Sequence, residues 1–450
     1  MSEATPLPGA VPPAPGAIPL LGHVHLLLRD PLRFLRSLPG GGLVRVRTGP
    51  WEAVVVCDPG LTRQVLLDDR TFDKGGAMYD RGREVFGNGL GTCPHAAHRR
   101  QRRLVQPAFH AARLPGYGHV MADQIDAVTG RWRNGAIIDV LAETQKLSAR
   151  VVVATLFGAA LTADEQVTAV LEDFEVIQRG IARRMLLPPG ARRLPTPGNR
   201  RHDRARTRLR RTVGRLVADR RADGTDHGDL LSLLLTTDDG PDGPRLTDEE
   251  ITDQVMTFYF GGMESTAATL AWALHLLTRH PAASARLAAE AGQVLPGGTV
   301  ARPEDLPALR YTSRVVAETL RLYPPVWVLT RTVTTDTLLG GHLLPAGTTV
   351  VYSPYLLHHR ADTFPAPERF DPGRWDAEPG HAPAHAGLVP FGGGARLCVG
   401  TAFALLEVTL ALATLAARWH FEPLPGLRPA RPALVLAPQG LRLRVTARTA

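Results

Sequence analysis

The feature that most constrains this chain is one long helical stretch beginning at Thr247. Thr247-Asp248-Glu249-Glu250 forms a capping box, in which the Thr side chain accepts from the third helical N–H and Glu250 reaches back to the cap. Apolar residues then recur from Ile251 past Leu277, predicting a helix of about 30 residues that stops near His280-Pro281. Gly261-Gly262 stands in its middle. Each mid-helix glycine costs about 1 kcal/mol relative to alanine, so something must compensate.

The rest of the chain organises around that rod. Residues 1–20 read as a proline-rich lead-in, followed by β-type runs at Leu43–Val46 and Ala53–Val56. From about Pro59 to Leu235 the pattern is mostly helical, with breaks at Gly89-Leu90-Gly91, Gly158 and Pro188–Gly198. A second helix is expected from about Glu304 to Tyr323, stopped by Pro324-Pro325, with short strands between Val328 and Tyr352. The stretch Phe364–Pro379 is irregular, and a glycine-rich loop then feeds a helix at Val399. The expected fold class is mainly α with small β-sheets, built as a single domain over residues 1–450.

Composition enters mainly by exclusion. Among 450 residues there are 50 arginines and only two lysines, Lys74 and Lys146, with a net charge of +9. That excess is no nucleic-acid footprint unless it clusters on one face, but it favours acidic partners. Cys57, Cys93 and Cys398 cannot make a disulfide framework, which suits a reducing cytoplasm. Met1 to Pro15 lacks the basic and apolar regions of a signal peptide, so neither secretion nor a membrane anchor is expected. The apolar stretch Val399–Ala417 carries Glu407 at its centre and reads as a buried helix.

The loop itself is Phe391-Gly392-Gly393-Gly394-Ala395-Arg396-Leu397-Cys398-Val399-Gly400. A lone buried cysteine is usually an inert small hydrophobe. Here four glycines wrap it just ahead of a helix, where a helix N-terminus lowers a thiol pKa. A P-loop reading fails for want of its lysine and hydroxyl.

The ten-residue pattern is similar to the haem-ligand loop of the cytochrome P450 family. The resemblance covers nearly the whole chain and implies the P450 fold, with haem b between the long central helix and the cysteine-loop helix. It makes Cys398 the axial thiolate that pushes electron density onto iron. It also places Arg396 against a propionate and Phe391 beneath the ring. Other motifs agree with it. Cys93 with His95 and His98 offers half of a zinc site, yet no second pair of ligands follows at zinc spacing. His98 and Arg102 instead match the family's propionate-binding positions, as does Arg331, while Arg99, Arg100 and Arg103 are expected to face solvent. Glu318 and Arg321 at i, i+3, with Arg369 of Pro367-Glu368-Arg369-Phe370, resemble the family's buried structural triad.

On the long helix, Gly261-Gly262 would make room for dioxygen. Glu264 and Ser265 occupy the acid and alcohol positions of proton delivery. The family's usual alcohol is threonine; Thr266 lies about 100° further round the helix and is a poor substitute for Ser265.

Segments matching the family's substrate-facing regions are apolar: Phe86, Phe174, Ile177, Phe258, Phe260 and Gly261, then Trp327, Val328 and Leu434. With no carboxylate or lysine among them, they imply a hydrocarbon-like ligand. The stretches Arg183-Arg184-Met185 to Asn199-Arg200-Arg201 and Trp327 to Arg331 resemble actinobacterial members that oxidise cyclic sesquiterpenes such as pentalenene in secondary metabolism. A polyketide, steroid or fatty acid substrate and a non-catalytic haem protein are the alternatives. The resemblance leaves no room for a redox domain, so a separate ferredoxin and ferredoxin reductase are implied. The chain is expected to be a cytoplasmic monomer that uses dioxygen and binds neither nucleic acid nor membrane.

Overall fold

The computed structural model describes residues 10–158, 194–237, 245–376, 387–428 and 434–448, together with 169–170, 172–173, 176–177, 180 and 432. These fall into two compact units interleaved in sequence: Met1–Asp80, Val326–Arg369 and Ala377–Cys398 form the first, and Arg81–Pro325, Phe370–Asp376 and Val399–Ala450 the second.

The first unit is built on a five-stranded sheet. β1 (Leu43–Thr48) and β2 (Trp51–Val56) form an antiparallel hairpin, each longer than the runs expected from β-branched residues alone. Later come β3 (Phe72–Asp73), β5 (Leu329–Val333) and β8 (Thr349–Tyr352), giving the order β1-β2-β8-β5-β3. Among the described strands of this sheet, β2 and β8 are the parallel pair, with Val54 opposite Val350. One face buries Leu43, Val54, Val56, Val350 and Tyr352 against Val65 and Leu66 of α1 (Pro59–Leu67), as period-2 alternation requires. β6 (Thr337–Leu339) and β7 (His342–Leu344) add a small hairpin.

The second unit is helical. It holds α3 (His95–Val105), α4 (Leu114–Thr129), α5 (Val140–Phe157), α6 (Pro197–Asp223), α7 (Asp248–Arg279), α8 (Pro281–Val294), α9 (Arg310–Leu322) and α10 (Thr401–Arg418); α2 (Gly76–Phe86) begins before the division between units. A three-stranded sheet, β4-β10-β9, is made of Ile137–Asp139, Arg442–Ala447 and Trp419–Pro423.

The rod is as its sequence predicts. Thr247 caps α7, both halves of the capping box form, and His280 ends it after 32 residues. Other boundaries differ for local reasons. Pro197 opens α6 instead of breaking it, since proline at the first helical position surrenders only an N–H that has no intrahelical partner. α9 begins at Arg310, because Pro303 and Pro307 confine the preceding residues to tight turns. α10 begins at Thr401, so Cys398 precedes it by three residues. α10 is also long and apolar enough to cross a bilayer, but Glu407 and most of its other side chains are buried within the unit, as for a core helix.

Candidate haem site

In the first unit the cysteine loop is a chain of tight turns. Val389 N–H donates to His358 Nε2 at 2.9 Å, Gly392 N–H to Val389 O at 3.1 Å, and Cys398 N–H to Phe391 O at 3.0 Å. Gly394 is the residue the fold cannot exchange. It has φ +63°, and a Cβ there would lie 2.2 Å from Leu66 O in α1. The outcome is an exposed Cys398 thiol on a loop braced by its own turn hydrogen bonds; Cys57 and Cys93 are buried.

Two arginines of the same unit have different surroundings. Arg331 in β5 is 3% exposed, and its guanidinium donates to Tyr79 Oη (2.9 Å), Tyr352 Oη (3.2 Å) and Thr330 O (2.9 Å). All three acceptors are neutral. A buried cation whose hydrogen bonds all go to neutral oxygens, with Asp73 the nearby carboxylate that helps hold its charge, fits a further anionic partner such as a propionate. Arg396, by contrast, is committed to Asp69 and Asp73 at 2.9 Å each, which ties the loop to the segment after α1. Trp327 packs on the cluster of Phe34, Leu35 and Leu356, so much of its ring belongs to the core; Val328 is half-buried.

In the second unit the glycines of α7 separate into two cases. A Cβ on Gly262 would stand 2.9 Å from Val152 Cγ2 of α5, so this glycine permits close helix packing. A Cβ on Gly261 would meet nothing within 4 Å. The open space over the helix is therefore at Gly261. Ser265, one turn on, donates its hydroxyl to Gly261 O at 2.6 Å, a back-bond that loosens the local helix. Glu264 is half-buried. Thr266 is 2% exposed and turned into the core, with no hydrogen-bond partner for its hydroxyl among the described residues.

On α3, His98 is buried and Arg102 half-buried, one turn apart. Arg99 and Arg103 are exposed as expected, but Arg100 pairs with Glu250 of the capping box at 2.5 Å. It pins α3 to the start of α7.

The aromatic candidates also divide. Phe86 meets Phe260 edge-on at 4.2 Å, whereas Phe258, about 200° round the helix from Phe260, packs against Phe109 and through it Phe403. Ile177 is fully buried in the core and Leu434 half-buried. Phe174 and Met185 lie outside the described residues.

The triad needs a correction. Glu318 and Arg321 are fully buried and form a bidentate pair, with Nε to Oε2 at 2.9 Å and Nη2 to Oε1 at 2.8 Å. Arg369 is exposed, which removes it from a buried triad. The second arginine beside the carboxylate is Arg374, 12% exposed, with Nε 3.5 Å from Glu318 Oε1. Trp375 Nε1 (2.9 Å) and Asp371 N–H (3.0 Å) complete the shell. The signal was present in the sequence. Pro-x-Arg-aromatic occurs twice, as Pro367–Phe370 and again as Pro372–Trp375, and the second copy lies on the buried turn.

The first unit thus offers one exposed thiol and one buried arginine whose hydrogen-bond acceptors are neutral; the second unit, by itself, offers a helix carrying an open glycine beside an alcohol and an acid. The thiol and the arginine of the first unit fit an iron porphyrin with propionates.

Comparison with known proteins gives the same direction. The family model described as Cytochrome P450 matches residues 12–444. The chain is 45% identical to a pentalenene oxygenase of Streptomyces avermitilis, covering 100% of this chain and 99% of the relative. It is 44% identical to a cyclooctat-9-en-7-ol 5-monooxygenase of Streptomyces melanosporofaciens, covering 94% of each. Among solved structures, the cytochrome P450DA heme domain is similar with a TM-score of 0.88 and 26% identity, covering 98% of this chain and 99% of that one.

Proposed function

The chain belongs to the cytochrome P450 family and is a haem-thiolate monooxygenase, and from that premise we propose that it hydroxylates a cyclic terpene hydrocarbon with electrons from a ferredoxin. The observation that carries the substrate reading is the full-length similarity to two oxygenases whose names specify pentalenene and cyclooctat-9-en-7-ol. The apolar Phe86–Phe260 pair beside open Gly261 supports it, since neither supplies a charge for a polar ligand.

When bound through Cys398, the haem supplies dioxygen activation, chemistry that no side chain here can perform. The chain's own residues supply the rest. Arg331, whose hydrogen bonds all go to neutral oxygens, takes a propionate, with His98 and Arg102 as further propionate partners. Arg396 braces the loop through Asp69 and Asp73 as well as standing in the family's propionate position. Ser265 holds a proton at Oγ that can leave its bond to Gly261 O, and Glu264 resupplies it. Glu318, Arg321 and Arg374 keep the second unit's buried turn in place. We further read the two units as one functional domain, acting as a cytoplasmic monomer.

The test is a reduced carbon-monoxide difference spectrum followed by turnover. A long-wavelength Soret band and terpene hydroxylation supported by ferredoxin and its reductase are expected. A histidine-type band in folded protein would remove the thiolate assignment. Turnover with peroxide alone would instead indicate a donor-independent enzyme, and haem binding without any turnover a carrier.

A further inference from the structure

α6 contains ten arginines in its 27 residues, far above the arginine share of the chain as a whole. Their placement is what matters. Arg200, Arg204, Arg208, Arg211 and Arg215 follow one another at intervals of four, four, three and four residues, so they share an arc of about 80° on one face. His202, Ala205, Leu209, Val213 and Val217 are buried on the opposite face. The five arginines are exposed and form a straight line about 22 Å long.

This line is largely unneutralised. Arg208 is bound by Asp173, but among the described residues no carboxylate pairs with Arg200, Arg204, Arg211 or Arg215. Like charges one turn apart oppose helix formation, so the row works against the element that carries it. Elsewhere on α6 the arginines are used internally: Arg210 takes Asp253, Arg220 takes Asp229 and Arg221 takes Asp248.

We propose that the arginine row on α6 docks peripherally on an anionic lipid bilayer, each guanidinium meeting a phosphodiester headgroup. Arginine suits phosphate because its planar fork donates two parallel hydrogen bonds. Two features favour lipid over other polyanions. Leu194 is 56% exposed and is held against the first turn of α6 by Asn199 Nδ2, which donates to Leu194 O at 2.8 Å. An apolar side chain at the end of a basic row suits the headgroup–acyl boundary, and a nucleic-acid surface offers it no equivalent. The exposed row also lacks aromatic side chains, on which single-stranded nucleic acids stack and around which protein interfaces build their cores. The contact involves no spanning segment, and it revises the expectation that the chain has no membrane partner.

The experiment is co-sedimentation of the holoenzyme with vesicles of phosphatidylcholine alone or mixed with phosphatidylglycerol. Binding to the anionic vesicles only, weakening as salt rises, is expected. The exposed-row variant Arg200→Gln/Arg204→Gln/Arg211→Gln/Arg215→Gln should bind those vesicles roughly a thousandfold more weakly, since each basic residue adds a near-independent electrostatic increment. A control carrying Arg29→Gln/Arg63→Gln/Arg133→Gln/Arg442→Gln removes the same charge from exposed positions elsewhere and should bind as wild type does. An unaltered thiolate spectrum in both variants shows that they are folded. Equal loss in the two variants would reduce the effect to net charge and overturn the proposal. So would equal binding to both vesicle types, or binding of duplex DNA or an acidic ferredoxin through the same four arginines without vesicle binding.

Discussion

Glu407 sits fully buried near the middle of α10, and neither carboxylate oxygen has a hydrogen-bond partner among the described residues. Burial pushes its carboxyl up to about 8, only partly offset by the nearby Ser148 hydroxyl. The folded chain therefore holds a proton there that the unfolded chain releases above the ordinary glutamate range. The stabilising effect is complete at low pH and is lost as pH rises through about 8. Glu407→Gln should flatten this decline, so urea midpoints of mutant and wild type should diverge between about pH 5 and 8, with the mutant favoured at the alkaline end. Parallel curves would mean that the wild-type site is already neutralised by another group. At Ser265 the hydroxyl is the quantity of interest. Ser265→Ala should leave haem content intact and raise peroxide released per electron consumed; unchanged coupling would remove Ser265 from proton delivery. Cys398, Ser265 and Glu264 could be proposed from the sequence because each stands in a motif of fixed spacing. The solitary demand at Glu407 was only half legible: its burial followed from the apolar run, but its unpaired oxygens depend on which helices pack around it.

At the scale of elements, the turn Asp371–Trp375 and helix α9 act together through Glu318. Removing Arg374 would leave that buried carboxylate with less compensation, and loss of a partner from a buried ion pair costs about 3–5 kcal/mol. Arg374→Ala, like Glu318→Ala, should thus yield mostly haem-free protein, while Arg369→Ala, at an exposed position away from the buried carboxylate, should retain haem and cost less stability. Haem occupancy per chain, read with the unfolding midpoint, checks both; the reverse ranking would restore Arg369 to the triad. The long helix was the most legible element, since capping box, periodicity and terminal proline all gave the same limits. The glycine pair within it was legible as an anomaly and no more. That Gly262 answers to Val152 while Gly261 answers to open space is a matter of neighbours in space. Choosing between two Pro-x-Arg-aromatic copies likewise required knowing which turn is buried.

For the molecule as a whole, the three cysteines give a direct readout of the metal site. Cys57 and Cys93 are inaccessible, and burial pushes the Cys57 thiol up to about 12, which suppresses thiolate chemistry. Folded haem-free protein should consume one equivalent of alkylating reagent, at Cys398; holoenzyme should consume none, and unfolded chain should consume three. A second fast equivalent in the folded haem-free protein would show that Cys57 or Cys93 opens readily. Composition foresaw neither the arginine row nor how far arginine is used internally. A count of charges is blind to the direction in which each side chain leaves its helix.

The order of strands in the first unit has a further consequence, for synthesis. β2 pairs with β8, whose residues Thr349–Tyr352 emerge almost 300 positions later. At roughly 5–20 residues per second, the hairpin Leu43–Val56 waits about 15–60 s on the ribosome with one edge open. An open β edge is a template for pairing with another chain, so nascent copies of this enzyme are most vulnerable to one another during that interval. Slower initiation, which spaces successive ribosomes, should protect yield more than any substitution in the finished fold.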